Sequence, residues 1–135
     1  MTRTWGRWLA AAVLCVAAAG CKEGGGGGIV EPTPGQLTVS LAATGETPRA
    51  VLLEVTGPGM TDPQPADPGY VLHSRAAGGV LRVAVFGELR GGPLLRFGVP
   101  DVGQPQLYAV RLVDAADAQN RLLPADAGVQ LTVAR

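Results

Sequence analysis

Few side chains in this 135-residue sequence are suited to covalent or acid–base chemistry. There are two cysteines, Cys15 and Cys21, and one histidine, His73. A deprotonated thiol is a strong nucleophile, and an imidazole exchanges protons near neutral pH. What these three residues do depends on the residues around them, so we consider each in its local sequence.

Cys21 follows a segment that has the three parts of a secretory signal. Two arginines precede the apolar run Leu9–Ala19, and the small residues Ala18-Ala19-Gly20 stand directly before the cysteine. This apolar run of 11 residues is typical of a signal sequence, whereas a membrane-spanning helix needs about 20 apolar residues. Residues 1–20 are therefore predicted to be a cleaved signal peptide, and a spanning segment is the alternative.

The segment Ala18-Ala19-Gly20-Cys21 resembles the lipobox of bacterial lipoproteins, which usually has leucine where Ala18 stands. In that family a diacylglycerol is joined to the cysteine sulfur, and the signal is cut directly before that cysteine. The resemblance implies a lipidated Cys21 and an anchor in a membrane of the cell envelope; a secretory signal with an unrelated cysteine is the alternative. Aspartate after the cysteine retains many lipoproteins at the inner membrane. Since Lys22 stands there, the resemblance favours the outer membrane in a bacterium with two membranes.

Loss of residues 1–20 changes what the remaining chain can do. Cys15 and both tryptophans are removed, so Cys21 becomes the only cysteine and its sulfur would carry the lipid. This leaves no thiol for a disulfide, for catalysis or for a metal site. Nine basic residues then stand against eleven acidic ones, a net charge of −2. A nucleic-acid-binding surface is usually basic, so no nucleic acid partner is expected.

Residues 21–35 are predicted to be a flexible tether between the lipid and a domain formed by residues 36–135. Five consecutive glycines at 24–28 disfavour any fixed conformation, and Pro32-Thr33-Pro34 favours extended backbone. The residues after Cys21 span about 20 Å as a coil and about 45–50 Å when fully extended. The domain is therefore expected to stand clear of the lipid headgroups.

Residues 36–135 show the alternation of apolar and polar side chains that is typical of β-strands. Glycine and proline separate the alternating runs, and Gly78-Gly79 and Gly91-Gly92 predict tight hairpins. This pattern favours an all-β fold, a single antiparallel β-sandwich of about seven strands that is immunoglobulin-like or cohesin-like. Asp114–Leu123 is either a helical turn or a loop. The predicted strands are Leu37–Ala42, Val51–Thr56, Tyr70–Arg75, Leu81–Phe86, Leu94–Val99, Tyr108–Val113 and Val129–Ala134.

The segments Gly79–Gly87 and Gly92–Val99 resemble the middle of cohesin-type domains, in which a strand leads through a glycine turn into a leucine- and phenylalanine-containing strand. Here the spacing is compressed by one or two residues. Cohesin-type domains share their β-sandwich with several carbohydrate-binding modules. The resemblance therefore implies this fold over most of residues 36–135, with a protein partner or a polysaccharide as the ligand.

The surroundings of His73 do not form a catalytic motif. Ser74 is its neighbour in sequence, but consecutive residues on a strand point to opposite faces. The sequence contains no Gly-x-Ser-x-Gly, His-Glu-x-x-His or phosphate-binding-loop motif. We therefore expect neither an enzyme nor a cofactor.

Two acidic regions were considered as metal sites. One is the segment Gly57–Gly69, which has four prolines and the carboxylates Asp62 and Asp67. The other contains Asp114, Asp117 and Asp126 around Asn120. Calcium takes six to eight oxygen ligands, and its Asp-x-Asp-x-Asp loop pattern is missing. The first segment is therefore predicted to be an irregular surface loop, and no metal is expected.

The remaining candidates are binding residues. Tyr70 and Phe86 could form a small exposed platform for a sugar, unless at least one of them belongs to the core, whereas Phe97 and Tyr108 fall on buried positions. Three predicted strands each carry an outward arginine. If those strands adjoin, the arginines make a basic stripe able to bind carboxylates; separate solvated arginines are the alternative. We predict a non-enzymatic module for protein binding or envelope assembly, with a carbohydrate-binding module as the alternative. The three arginines are Arg82, Arg96 and Arg111.

Overall fold

The structure is a computed structural model that describes residues 30–135. The predicted signal peptide, Cys21 and the glycine run lie outside the described residues. Across residues 30–135, no helix has the length and apolarity needed to cross a membrane.

The described chain forms two four-stranded antiparallel sheets that pack face to face. We call them the β1 sheet, with strand order β3-β6-β1-β8, and the β2 sheet, with strand order β4-β5-β2-β7. A 3-10 helix at Pro105–Leu107 precedes β7. The predicted antiparallel β-sandwich is confirmed. The strands are β1 (Gly35–Ala43), β2 (Ala50–Thr56), β3 (Thr61–Pro65), β4 (Val71–Ala77), β5 (Val80–Phe86), β6 (Gly92–Val99), β7 (Ala109–Ala116) and β8 (Val129–Ala134).

The core lies between the two sheets and contains the apolar residues of each alternating run. In β1, β2 and β5 every second residue is buried and its neighbours point outward. Phe97 is fully buried at the centre, and its ring lies 5.7 Å from the ring of Tyr108. Burying one such side chain contributes about 1.5–3 kcal/mol, so this shared core dominates the stability of the sandwich.

One strand lies where an irregular loop is predicted. β3 occupies the middle of Gly57–Gly69, so the loop prediction was wrong for these residues. β3 pairs only with β6, its register shifts between Thr61 and Gln64, and Asp62 within it has a φ of 45°. An edge strand needs ladder bonds on one side only, which is why it accommodates Pro63 and Pro65.

Of the two hairpins predicted at glycine pairs, one is confirmed and the other was wrong. Gly78-Gly79 joins β4 to β5 in the predicted hairpin, and both glycines have positive φ angles of 59° and 76°. Gly91-Gly92 does not make a hairpin, because β5 and β6 belong to different sheets. The connection crosses the end of the sandwich and buries Leu89 completely. Turn residues therefore indicated where the chain reverses but not which sheet it enters.

The segment Asp114–Leu123 is a strand end followed by a turn, so the helical alternative was wrong. β7 continues to Ala116, which forms a bridge with Leu122. The intervening turn is organised by Asp117, whose Oδ1 accepts hydrogen bonds from the backbone N–H groups of Gln119 and Arg121, both at 2.9 Å. Arg121 Nε also donates to Asp117 Oδ2 at 3.2 Å.

The tether enters the domain at the end of the sandwich where β1 begins, which we call the tether end. The Thr33 carbonyl accepts a hydrogen bond from Val102 N at 2.8 Å, and Thr33 N donates to Asp101 Oδ1 at 3.2 Å. At the same end the Tyr108 hydroxyl donates to the Pro58 carbonyl at 2.6 Å. Among residues 30–135, the earliest of these contacts is made by Thr33, two residues before β1.

Candidate functional site

The outward face of the β2 sheet carries four rows of side chains that run across its strands. We call this surface the mixed face. It begins with small residues at the tether end, continues with a charged row and ends with apolar residues at the far end. From the tether end outward, in the order β4-β5-β2-β7, the rows are Ala77-Val80-Thr56-Ala109, Arg75-Arg82-Glu54-Arg111, His73-Ala84-Leu52-Asp114 and Val71-Phe86-Ala50-Ala116.

The charged row is organised by one carboxylate. Glu54 on β2 lies between Arg82 on β5 and Arg111 on β7, and it forms salt bridges to both. Arg82 Nε donates to Glu54 Oε1 at 3.1 Å, and Arg111 donates to Oε2. These hydrogen bonds, first from Arg111 and then from Arg82, lower the pKa of Glu54. Both oxygens of the carboxylate are thus used within the row.

The fourth member of the row has no carboxylate of its own. Arg75 on the edge strand β4 lies directly opposite Arg82. Within residues 30–135 it forms no salt bridge, and its nearest neighbour in the row has the same charge. Like charges directly opposite each other on neighbouring strands are unfavourable. A depression of about 270 Å³ lies beside this pair, lined by Arg75, Arg82, Glu54, Val80 and Ala77.

The far end of the mixed face is apolar and unusually open. Phe86 is 43% exposed, Val71 54% and Leu122 70%. An apolar depression of about 170 Å³ lies beside Phe86, where the side chains of β2, β5 and β7 are short. Its lining includes Ala50, Leu52, Ala84, Phe86, Ala116 and Leu122.

His73 lies on this face with no catalytic geometry around it. Its ring packs edge-on against Phe86, with ring centroids 6.1 Å apart and an interplanar angle of 69°. Ala84 is its partner on β5. The side chain is exposed, and Ser74 points away from it as strand alternation requires. The arrangement positions His73 as part of a surface rather than of a pocket.

The predicted arginine stripe was only partly right. Arg82 and Arg111 share the mixed face, but Glu54 separates them, and Arg96 lies on β6 in the opposite sheet. Arg75 was not among the residues predicted for this stripe. Its place could have been predicted, because a two-residue hairpin at Gly78-Gly79 pairs Arg75 with Arg82.

The predicted exposed pair of aromatic rings was wrong, and its alternative, that at least one ring belongs to the core, is confirmed. Tyr70 is only 9% exposed and packs within the core. Its hydroxyl accepts a hydrogen bond from Arg90 N at 3.1 Å. The buried positions predicted for Phe97 and Tyr108 are also confirmed. Phe86 therefore stands on the face without Tyr70, which leaves no two-ring platform at this place.

Two of the acidic residues in the candidate metal regions, Asp67 and Asp117, are engaged in turns. Asp67 Oδ1 accepts a hydrogen bond from Gly69 N at 2.7 Å, and both Asp117 oxygens accept bonds from its own loop. The backbone N–H of Arg121 is the main cause that lowers the pKa of Asp117. In the part of the chain that the structure describes, no three His, Cys, Asp or Glu side chains gather into a metal site.

The outward face of the β1 sheet, which we call the polar face, has a different composition. Its side chains are small and mostly neutral, and Arg96 stands among them opposite Thr38 on β1 and Gln64 on β3. β1, β6 and β8 contain no carboxylate. The side chains that define this face are Thr38, Ser40, Gln64, Arg96, Gln130 and Thr132.

Comparison with known proteins adds no relative to this geometry. A scan against protein-family models, a search of curated proteins and a search of solved structures each found no match.

Proposed function

We propose that this chain is a non-enzymatic lipoprotein, anchored by a lipid on Cys21, whose β-sandwich binds a protein partner through the mixed face. The observation that carries the proposal is the apolar depression beside Phe86 next to the charged row of Arg75, Arg82, Glu54 and Arg111. Protein interfaces are enriched in such groups, aromatic side chains and arginine.

The dimensions of the mixed face limit the kind of complex. Seven residues along a strand span about 20 Å, and four strands span about 15 Å between the outer two. The projected area is therefore about 300 Å², against about 800 Å² per partner in a stable interface of standard size. The proposed partner either binds transiently or extends past the face onto neighbouring surfaces.

The proposed tether enters the domain at the end opposite the apolar part of the mixed face. Thr33 is held at the tether end, and the apolar depression lies at the opposite end of the strands. The tether therefore leads the chain toward the membrane while the apolar end of the mixed face points away from the entry point. The favoured location is the outer membrane in a bacterium with two membranes, since Lys22 follows the lipidated cysteine.

The anchor is tested by metabolic labelling with a radioactive or alkyne-tagged fatty acid. Cys21→Ser is expected to abolish labelling and to block cleavage of the signal. Cys15→Ser is the matched control, because it removes the other cysteine and should leave labelling and cleavage unchanged. Fatty acid on the Cys21→Ser protein, or none on the wild type, would contradict the anchor.

The binding face is tested by cross-linking in detergent-solubilised envelope with the full chain as bait. A double variant, Phe86→Ser with Leu122→Ser, removes two of the three exposed apolar side chains at the far end and leaves Val71 in place. The matched control is Thr38→Ala with Thr132→Ala on the polar face. We expect one cross-linked species to persist in the control and to fall at least tenfold in the Phe86/Leu122 variant. Equal recovery from both variants would overturn the assignment of this face.

A further inference from the structure

The four sheet edges differ in how well they are protected against an added strand. The β3 edge carries Pro63 and Pro65 and a register shift. The β7 edge has a register shift opposite Leu52 and Leu53, and the returning chain covers its far end through a hydrogen bond from Leu123 N to the Ala115 carbonyl at 2.8 Å. The β8 edge has neither a proline nor a register shift, but it lies alongside β7 of the other sheet. Prolines, bulges and covering segments are the usual means of blocking strand addition.

The β4 edge has none of these protections. All seven residues of β4 pair with β5 without a register shift, and none of them is proline. From the other sheet, the five-residue strand β3 is the element that mainly approaches β4. Alternate backbone N–H and C=O groups of an edge strand point away from its neighbour. In the region covered by the structure, no other backbone group bonds to those of β4.

The charges beside this edge select the chemistry of an added strand. Along the charged row the signs are positive for Arg75, positive for Arg82, negative for Glu54 and positive for Arg111. Glu54 satisfies Arg82 and Arg111, and Arg75 is left at the open edge next to a like charge. A strand that pairs with β4 would place one side chain directly beside Arg75. A carboxylate there would extend the alternation of charge that Glu54 begins.

Val71, four residues from Arg75 on β4, sets a second requirement for the added strand. Val71 lies on the same face of β4 as Arg75 and is 54% exposed at the apolar end. Residues four apart on an extended chain share a face and are separated by about 13 Å. An added strand that carries a carboxylate at one position and an apolar side chain four positions away would satisfy both.

We infer that β4 binds an extended acidic peptide segment of the protein partner, which adds as a fifth strand to the β2 sheet with a carboxylate beside Arg75. This inference deepens the proposed function and rests on it. It also addresses the small area of the mixed face, because an added strand brings main-chain hydrogen bonds and contacts beyond the face itself.

The test uses a synthetic nine-residue peptide with glutamate at position five, valine at the other odd positions and threonine at the even positions. It is titrated onto the full-length lipoprotein in detergent. We expect saturable binding by fluorescence anisotropy. Arg75→Glu should weaken it at least tenfold, and Arg96→Glu, the matched charge reversal on the polar face, should leave it unchanged. A peptide with central lysine should bind wild type weakly and the Arg75→Glu protein at least tenfold better. No binding of the glutamate peptide, or equal effects of the two arginine variants, would overturn the inference.

Backbone pairing is tested separately with two N-methylated forms of the glutamate peptide, one modified at odd positions and one at even positions. Only one edge of an extended peptide faces β4, so one form should lose binding and the other should retain it. Equal binding by both forms, or loss of binding by both, would overturn strand addition. If these arms fail while the cross-linked species still depends on Phe86 and Leu122, the proposed face stands and the added strand does not.

Folding of the Arg75→Glu protein is checked by thermal unfolding. The new glutamate would lie opposite Arg82, so the midpoint should equal or exceed that of wild type. A second variant, Arg75→Ala, removes the charge without reversing it and should give an intermediate affinity for the glutamate peptide. An affinity equal to wild type in Arg75→Ala would contradict a role for this side chain.

Discussion

The outward faces of the two sheets differ strongly although the sheets enclose one core. On the polar face, strand partners such as Ser40 with Thr132 are small and neutral. On the mixed face, an ion-paired glutamate is flanked by arginines, and Phe86 and Val71 remain open to solvent. Folding constrains the inward residues of both sheets equally. The difference between the outward residues therefore points to what each face contacts.

The two faces also differ in how their charged side chains are paired. On the polar face, the central strands β1 and β6 contain no carboxylate, and Arg96 is the one ionised residue in these two strands. The mixed face depends on Glu54, whose two oxygens hold Arg82 and Arg111. The mixed face keeps exposed apolar side chains, and its Arg75 lies beside the like charge of Arg82, so this face is the better candidate for binding.

The largest effect is expected from the shared core, because its loss removes both faces together. Phe97→Ala should cost about 3–5 kcal/mol, as is usual for truncation of a buried phenylalanine. Phe86→Ala on the mixed face is the comparison, and as a surface substitution it should cost at most about 1 kcal/mol. Urea unfolding of both variants measures the two values. Similar losses would mean that Phe86 is structural and would weaken its assignment to a binding face.

The next effect separates the two faces. Glu54→Ala should lower the midpoint of thermal unfolding, because Arg75, Arg82 and Arg111 would then share one row without a carboxylate. Thr132→Ala on the polar face is the matched change and should stay within about 0.5 kcal/mol of wild type. Calorimetry of both proteins gives the comparison. A loss in Thr132→Ala as large as that in Glu54→Ala would remove the distinction.

Part of the stability that the protein loses in acid should come from Glu54 on the mixed face. The pKa of Glu54 is lowered in the folded protein from its ordinary value of 4.5. Its contribution is therefore complete above about pH 4.5 and is lost as the pH falls through the lower folded value. Unfolding measured from pH 6 downward should show a smaller loss of stability in Glu54→Gln than in wild type. Some loss should remain, since the pKa values of Asp101 and Asp117 are also lowered, chiefly by hydrogen bonds from the N–H groups of Gly103 and Arg121. Identical profiles for the two proteins would contradict the role given to Glu54.

The smallest effect is a gain. Arg75→Glu replaces a like-charge pair across β4 and β5 by an opposite-charge pair, which is worth about 0.2–1 kcal/mol. Arg96→Glu is expected to give no gain, because its strand partners are Thr38 and Gln64. Chemical unfolding at low salt measures both, and the gain should shrink at high salt through screening. A destabilised Arg75→Glu protein would show that Arg75 has a structural role.

Much of the fold follows from the sequence because strand alternation is a local property of the chain. The alternation along β1, β2 and β5 was predicted from the sequence, and so was the hairpin at Gly78-Gly79. β3 was missed since its prolines erase the alternation, and prolines are tolerated there only because β6 is its single neighbour. In β6, Leu94 and Leu95 are both buried beside a register shift, which a strict period of two does not anticipate.

In the candidate site, the direction of the side chains could be predicted from the sequence, but the order of the strands could not. The sequence by itself determined which residues of each strand point outward, and hence that Arg82, Arg96 and Arg111 reach the surface. Only the tertiary structure decided that Arg96 belongs to the other sheet and that Glu54 joins Arg82 and Arg111, which are 28 and 57 positions away from it along the chain. The reason is physical: alternation records the two sides of one strand, whereas the order of strands in a sheet is settled by packing between segments that are distant in sequence.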